Sequence, residues 1–224
     1  LWLHVDAAYA GSAFILPEHR ALAKGIEAAD SVVFNPHKWL MTHFDCSAYF
    51  VKDTEHLVNT MGLTPEYLKT DLDRQVNNYR DWGVPLGRRF RALKLWFVLR
   101  SYGISGLQEQ LRQHINWVQD LAQTIQSHPN FEVLAPVPLN LVCFRFAPAH
   151  LSETEREALN IRLLQTLNAS GEVFMTQSGW TPVVVGCVVG FIFAVVVMTF
   201  NVMSLQILLD GDTGAIRAIQ MWIR

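Results

Sequence analysis

In Asn35-Pro36-His37-Lys38-Trp39 a lysine follows directly on an apolar stretch. Ser31 to Asn35 reads as a buried strand and Pro36 as the turn that ends it, so the Lys38 amine is placed at a strand end. An amine that loses hydration in such a place can shed its proton and condense with an aldehyde to a Schiff base. The plainer reading is a loop lysine whose stem lies on apolar surface while its ammonium stays in water. Asp6 closes an earlier apolar stretch, Leu1 to Asp6. If the two strands are parallel neighbours, Asp6 and Lys38 emerge at the same carboxyl edge, where open α/β sheets bind ligands. There an aspartate would keep a pyridine nitrogen protonated while the lysine holds an aldehyde carbon, the pairing that pyridoxal phosphate chemistry needs. Taken alone, Asp6 is as readily a strand-end cap. The small residues Ala7, Ala8, Ala10, Gly11 and Ser12 come next and let a bulky group approach the backbone. A zinc hydrolase built on His4, Asp6 and His37 is a further reading of the same residues.

The elements that must position these residues alternate in type. Pro17 to Ala29 reads as a short helical stretch and Cys46 to Lys52 as a third strand, Asp53 caps a brief helix, and Thr60 to Asp81 is a long polar loop. Leu86 to Tyr102 has a helical pattern. Ser105 and Gln108 have the spacing of a capping box ahead of a second helix. On that helix Leu107, Leu111, Ile115, Val118, Leu121 and Ile125 form one apolar stripe. Strands are expected at Phe131 to Ala135 and Leu141 to Phe146, and Ser152 with Glu155 opens a helix running to about Asn168. This is an α/β rhythm, with residues 1–100 in a first domain and 101–178 in a smaller one.

Composition bounds the possibilities. Half of the 224 residues are hydrophobic and 17% are charged, which excludes disorder over most of the chain. Eighteen Lys and Arg against twenty Asp and Glu leave no basic field for a nucleic acid. Cys46, Cys143 and Cys187 lie far apart in neither disulfide-framework nor zinc-ribbon spacing, which fits a reducing compartment and no metal site. His19, His43, His56, His114, His128 and His150 show no ligand spacing either. Arg88, Arg89 and Arg91 lie beside aromatic residues and read as structural, pairing acids or covering apolar surface.

Together, His4-Val5-Asp6-Ala7-Ala8-Tyr9-Ala10-Gly11 and Asn35-Pro36-His37-Lys38-Trp39 resemble the group II pyridoxal phosphate-dependent decarboxylases, specifically the aromatic-L-amino-acid decarboxylase family. Phe44-Asp45-Cys46-Ser47-Ala48, Leu63-Thr64-Pro65-Glu66-Tyr67-Leu68 and Pro85-Leu86-Gly87-Arg88-Arg89-Phe90-Arg91 extend the resemblance, which runs from residue 1 to about 178. It implies a fold-type I architecture, with the latter part of a large cofactor domain followed by a small carboxy-terminal α/β domain. It further implies that Lys38 holds pyridoxal 5'-phosphate covalently, that Asp6 pairs with the pyridine nitrogen, and that Ala8 packs on one ring face. Asn35 and His37 would contribute to the cofactor pocket, His37 near the phosphate. Tyr67 would deliver a proton to the substrate α-carbon from a loop that closes over the site. The implied reaction is decarboxylation of an aromatic L-amino acid (tyrosine, dopa, tryptophan or phenylalanine) by a cytoplasmic homodimer. Aldehyde synthesis, or decarboxylation of an acidic amino acid, is the alternative on the same cofactor.

The chain opens without an initiator Met or a signal peptide and is expected to be a fragment lacking the family's amino-terminal half. Residues 179–224 depart from the family. No charge occurs from Val173 to Leu209, and Pro182 to Phe200 is apolar and long enough to span a bilayer. A membrane-anchored, inactive remnant is therefore a second expectation, against a pair of buried strands or a sequence foreign to the domain.

Overall fold

A computed structural model describes residues 1–62 and 76–177, together with the backbone of Gly186–Cys187. The chain falls into two compact units, Leu1–Gln108 and Glu109–Arg224. The boundary lies inside a helix and eight residues beyond the one read from the sequence.

The first unit is built on a three-stranded sheet in the order β1 (His4–Asp6), β2 (Ser31–Phe34), β3 (Ala48–Val51). β1 and β2 are parallel, with Asp6 opposite Val33, while β3 returns antiparallel with Ala48 opposite Phe34. The stretch expected as a helix at Pro17 to Ala29 is instead two 3-10 segments, Pro17–Ala23 and Ile26–Ala28. Gly25 separates them with φ of 91°, a left-handed value that no continuous helix contains. Ala10–Ile15 is also 3-10, and Ser12 and Ala13 are buried within it. Ala7, Leu16, Trp39, Leu40 and Cys46 are among the buried residues of this unit. Tyr9 stacks on Trp39 with ring centroids 5.2 Å apart.

Helix α1 (Pro36–Trp39) carries the lysine, and α2 (Thr54–Met61) starts at Asp53, whose carboxylate accepts from the Glu55 amide at 2.9 Å. Thr60 and Met61, expected at the start of a loop, are helical, and Tyr79–Trp82 near its expected end is a 3-10 turn. Tyr67 and the rest of 63–75 lie outside the described residues.

Helix α3 (Arg91–Ser127) begins later than its pattern predicts, because residues up to Phe90, Pro85 and Gly87 included, are non-helical. Gly103 interrupts it with φ of 64° and ψ of 173°, so two helical segments meet there. Ser105 lies two residues past this break. Gln108 uses its amide on the Ile15 carbonyl at 2.8 Å, so a tertiary contact claims the side chain expected to close a capping box.

In the second unit the predicted stripe faces the core, with Leu121 only partly buried. Leu111, Ile115, Val118 and Ile125 are each less than a tenth exposed. Val118, Ala122 and Ile125 pack with Val142 and Phe144 of β5 (Val142–Phe146), and β4 (Phe131–Val133) lies antiparallel beside that strand. Helix α4 (Glu153–Ser170) opens with the predicted capping box, Ser152 and Glu155 each bonding the other's backbone amide. The sheet continues through β6 (Met175–Thr176) and β7 (Gly186–Cys187) in the order β4-β5-β7-β6. Apart from β7, the segment 182–200 and the 179–224 tail lie outside the described residues. Among the described residues no helix is long and apolar enough to cross a membrane.

Candidate active site

The parallel pairing of β1 and β2 puts the residues after Asp6 beside the residues after Phe34. Two backbone bonds stitch these strand ends together: Ala7 N–H to Val33 O at 2.9 Å, and Asn35 N–H to Ala8 O at 3.0 Å. Asp6, Ala8 and Asn35 thus share the carboxyl edge that the sequence predicts. The Asp6 Oδ1 accepts from the Ala8 amide at 2.9 Å, an Asx turn that fixes the carboxylate at the strand end. Gly11 donates to Ala7 O at 2.8 Å and lies so close to β2 that a Cβ there would fall 2.5 Å from the Phe34 Cβ. Only a glycine permits this approach of the small-residue segment to the sheet.

Lys38 sits on the third residue of α1. Its backbone N–H returns to Asn35 O at 2.9 Å, and Leu40 and Thr42 both donate to Pro36 O. Met41 closes the turn in the left-handed region, with φ of 49°. In so short a helix only Pro36 and Trp39 point inward, and the Lys38 side chain is exposed. The desolvation expected of this amine is therefore not present in the chain itself. Asp6 is likewise exposed, while Ala8, Asn35 and His37 are half-buried.

The segment that follows supports the lysine turn from behind. The His37 backbone donates to Cys46 O at 3.3 Å, and its ring Nδ1 lies 2.7 Å from that carbonyl and 3.0 Å from the Cys46 amide. The edge of the Phe44 ring meets the imidazole, with centroids 4.9 Å apart. One nitrogen of His37 is thereby committed to backbone, and Nε2 remains for a ligand. The Ser47 hydroxyl donates to Asn35 Oδ1, directing the amide's donor end elsewhere. Asp45 is gripped by α3: Arg91 Nε reaches its carboxylate at 2.8 Å and Lys94 Nζ its backbone carbonyl at 2.6 Å. The bond from Arg91 holds the Asp45 carboxyl below the usual range, and burial pushes the Cys46 thiol up. Asp45, Cys46, Ser47 and Arg91 had no individual role in the sequence reading beyond the structural one given to Arg91. Their only signal was membership of the Phe44–Ala48 and Pro85–Arg91 runs.

His4 sits in β1 with Nδ1 2.7 Å from the Ser31 hydroxyl, which also accepts from the Trp2 indole at 2.9 Å. Among the described residues no three His, Cys, Asp or Glu side chains gather at a metal's reach, which removes the support for a zinc site on His4, Asp6 and His37.

A parallel β-edge with a carboxylate at the end of one strand and a lysine just past the next belongs to an α/β fold. Residues 1–147 match the model of the pyridoxal-dependent decarboxylase conserved domain, and the chain belongs to that family. It is 49% identical over 178 residues to an aromatic-L-amino-acid decarboxylase of Drosophila melanogaster, a match covering 80% of this chain and 34% of the relative. It is 44% identical over 193 residues to the phenylacetaldehyde synthase of Arabidopsis thaliana, covering 85% and 39%. The structure superposes on Oryza sativa TDC, solved with PLP and tryptamine, at a TM-score of 0.77 and 39% identity, covering 83% of this chain and 39% of that one. Its architecture is accordingly that of the fold-type I enzymes. The chain spans little more than a third of the length of these relatives.

Proposed function

We propose that this chain supplies the lysine-bearing part of a pyridoxal 5'-phosphate-dependent L-amino acid decarboxylase that acts on an aromatic substrate and releases the amine and carbon dioxide. The observation that carries the reading is the β1–β2 register, which sets Asp6, Ala8 and Asn35 at one sheet edge immediately before Lys38. The residues fit the group. The Asp6 carboxylate suits a ring nitrogen, the Ala8 methyl is small enough to lie against a flat ring, and the His37 Nε2 suits an anion.

When bound, pyridoxal phosphate supplies an electron sink for the pair left behind as carbon dioxide departs. Lys38 would hold the group's aldehyde carbon through its amine. Asp6 would pair with the ring nitrogen, Ala8 would pack on one ring face, Asn35 would contribute to the cofactor pocket, and His37 would lie near the phosphate. Tyr67 is the proposed donor of the proton to the substrate α-carbon. The names of the relatives support an aromatic substrate, and three widely spaced cysteines fit a cytoplasmic location. A homodimer is the proposed assembly, with residues 1–100 as the latter part of a large domain and 101–178 as the small one. Identity to a phenylacetaldehyde synthase supports aldehyde formation as the second reading.

The test is reduction of the protein with borohydride in the presence of pyridoxal phosphate, followed by peptide mapping. A reduced adduct on Lys38, lost in Lys38→Ala, is expected. An unmodified Lys38 beside modified surface lysines would reject the assignment. Product analysis of a full-length form then separates the readings, amine against aldehyde with ammonia and peroxide.

A further inference from the structure

Arg91 and Lys94 occupy the first turn of α3, and no acidic residue accompanies them there. Cations at a helix N-terminus oppose the helix dipole. The opposing charge comes from outside the helix, from Asp45. Its carboxylate takes the Arg91 Nε at 2.8 Å and faces the Lys94 Nζ at 3.8 Å, and its backbone carbonyl accepts from Lys94 at 2.6 Å. A half-exposed ion pair ordinarily contributes little to stability. Three contacts converging on one loop residue instead fix where that residue lies. The Cys46 Sγ adds a contact to the Arg91 carbonyl at 3.7 Å, so the helix start holds two consecutive residues.

Those two residues adjoin the support of the lysine turn. Cys46 engages the His37 backbone and ring through its own peptide, and Ser47 holds Asn35 by the side-chain oxygen. Asn35 in turn accepts the Lys38 backbone N–H at 2.9 Å. We propose that Asp45 is a positioning residue for Lys38, anchoring the 45–47 segment on α3 so that His37 and Asn35 hold the lysine turn in a single arrangement. Asp45 touches neither cofactor nor substrate in this scheme. It acts through Cys46 and Ser47, and the pairing with Arg91 gives it one geometry.

The proposal has one arm that rests on the cofactor reading above and one that does not. In the first, the chain is treated with pyridoxal phosphate and borohydride, and labelling of Lys38 is measured relative to Lys24, which lies in a 3-10-flanked loop away from the turn. Asp45→Asn is expected to lower the Lys38-to-Lys24 ratio by about tenfold, the scale of a small misplacement of a reacting group. Arg91→Ala should do the same, and the double variant should do no more than either single one, since both changes break one linkage. An unchanged ratio in both single variants would overturn the proposal, as would strictly additive losses. In the second arm, nitrogen shifts of the His37 ring are compared by NMR in wild type and Asp45→Asn without cofactor. Loss of the hydrogen-bonded Nδ1 signature in the variant is expected, with far-UV circular dichroism unchanged. An unaltered His37 spectrum would overturn the role of Asp45. If wild type forms no Lys38 adduct, the cofactor reading fails and the His37 spectrum alone decides on Asp45.

Discussion

Asn160, in the interior of α4, uses its side chain as a strand would use its backbone against Phe146 of β5. The Phe146 N–H donates to Asn160 Oδ1 at 2.8 Å, and Asn160 Nδ2 returns a bond to the Phe146 carbonyl at 2.8 Å. A third bond, from Nδ2 to Arg156 O, ties the amide to its own helix. The side chain is buried, so the amide supplies both partners for the Phe146 backbone away from solvent.

Asn160→Ala should therefore destabilise the chain by about 2–5 kcal/mol, because two backbone groups of Phe146 lose their partner in a buried place. Asn160→Asp, measured at a pH where its carboxyl is protonated, keeps an acceptor and one donor, so its cost there should be smaller than that of alanine. Urea unfolding of the three proteins checks the order. An alanine variant as stable as wild type would show that the amide is not needed.

Gly11→Ala places a methyl group 2.5 Å from the Phe34 Cβ, where nothing flexible can yield. The segment must lift from β2, at a cost of about 1–3 kcal/mol. Because Gly11 bonds to Ala7 and Ala8 bonds to Asn35, the displacement should also reach the proposed cofactor edge. A fall in the urea midpoint together with weaker Lys38 labelling is the expected pair of outcomes.

His114 is buried on α3, and desolvation holds its imidazole below the ordinary range. As pH falls, the unfolded chain takes up this proton before the folded one does. The stability tied to neutral His114 is thus fully present above the ordinary imidazole pKa and is lost as pH falls through it toward the lower folded value. Urea midpoints measured between about pH 8 and pH 5 should decline, and His114→Phe should flatten that decline. An identical pH profile in the variant would remove His114 from the account.

Tyr67→Phe, made in a full-length form of the enzyme, should shift the product from amine toward aldehyde, since the ring would then have no proton to give. Chromatography of amine and aldehyde measures the ratio. An unchanged amine yield would count against the proton-donor role.

What could be read from the sequence was local. The Asp53 cap and the Ser152–Glu155 box depend on groups two or three residues apart, and both are formed. The buried stripe on α3 follows from helical spacing alone. The Ser105–Gln108 pair had the same local pattern, yet Gln108 was claimed by Ile15, distant in sequence, and the break came at Gly103. The parallel pairing of β1 and β2 was legible, because the ends of two apolar strands suffice to place it. The Asp45–Arg91 pair and the Asn160–Phe146 bonds were not, because each joins elements whose approach depends on how the chain turns between them.

The Cys46 peptide presents His37 Nδ1 with a donor and an acceptor at nearly the same place. A protonated Nδ1 gives its hydrogen to the carbonyl and leaves a lone pair at the ring's outer end, whereas a bare Nδ1 takes the amide hydrogen and leaves a hydrogen there. The imidazole can thus reverse its outward polarity by moving a proton, with every heavy atom left where it stands.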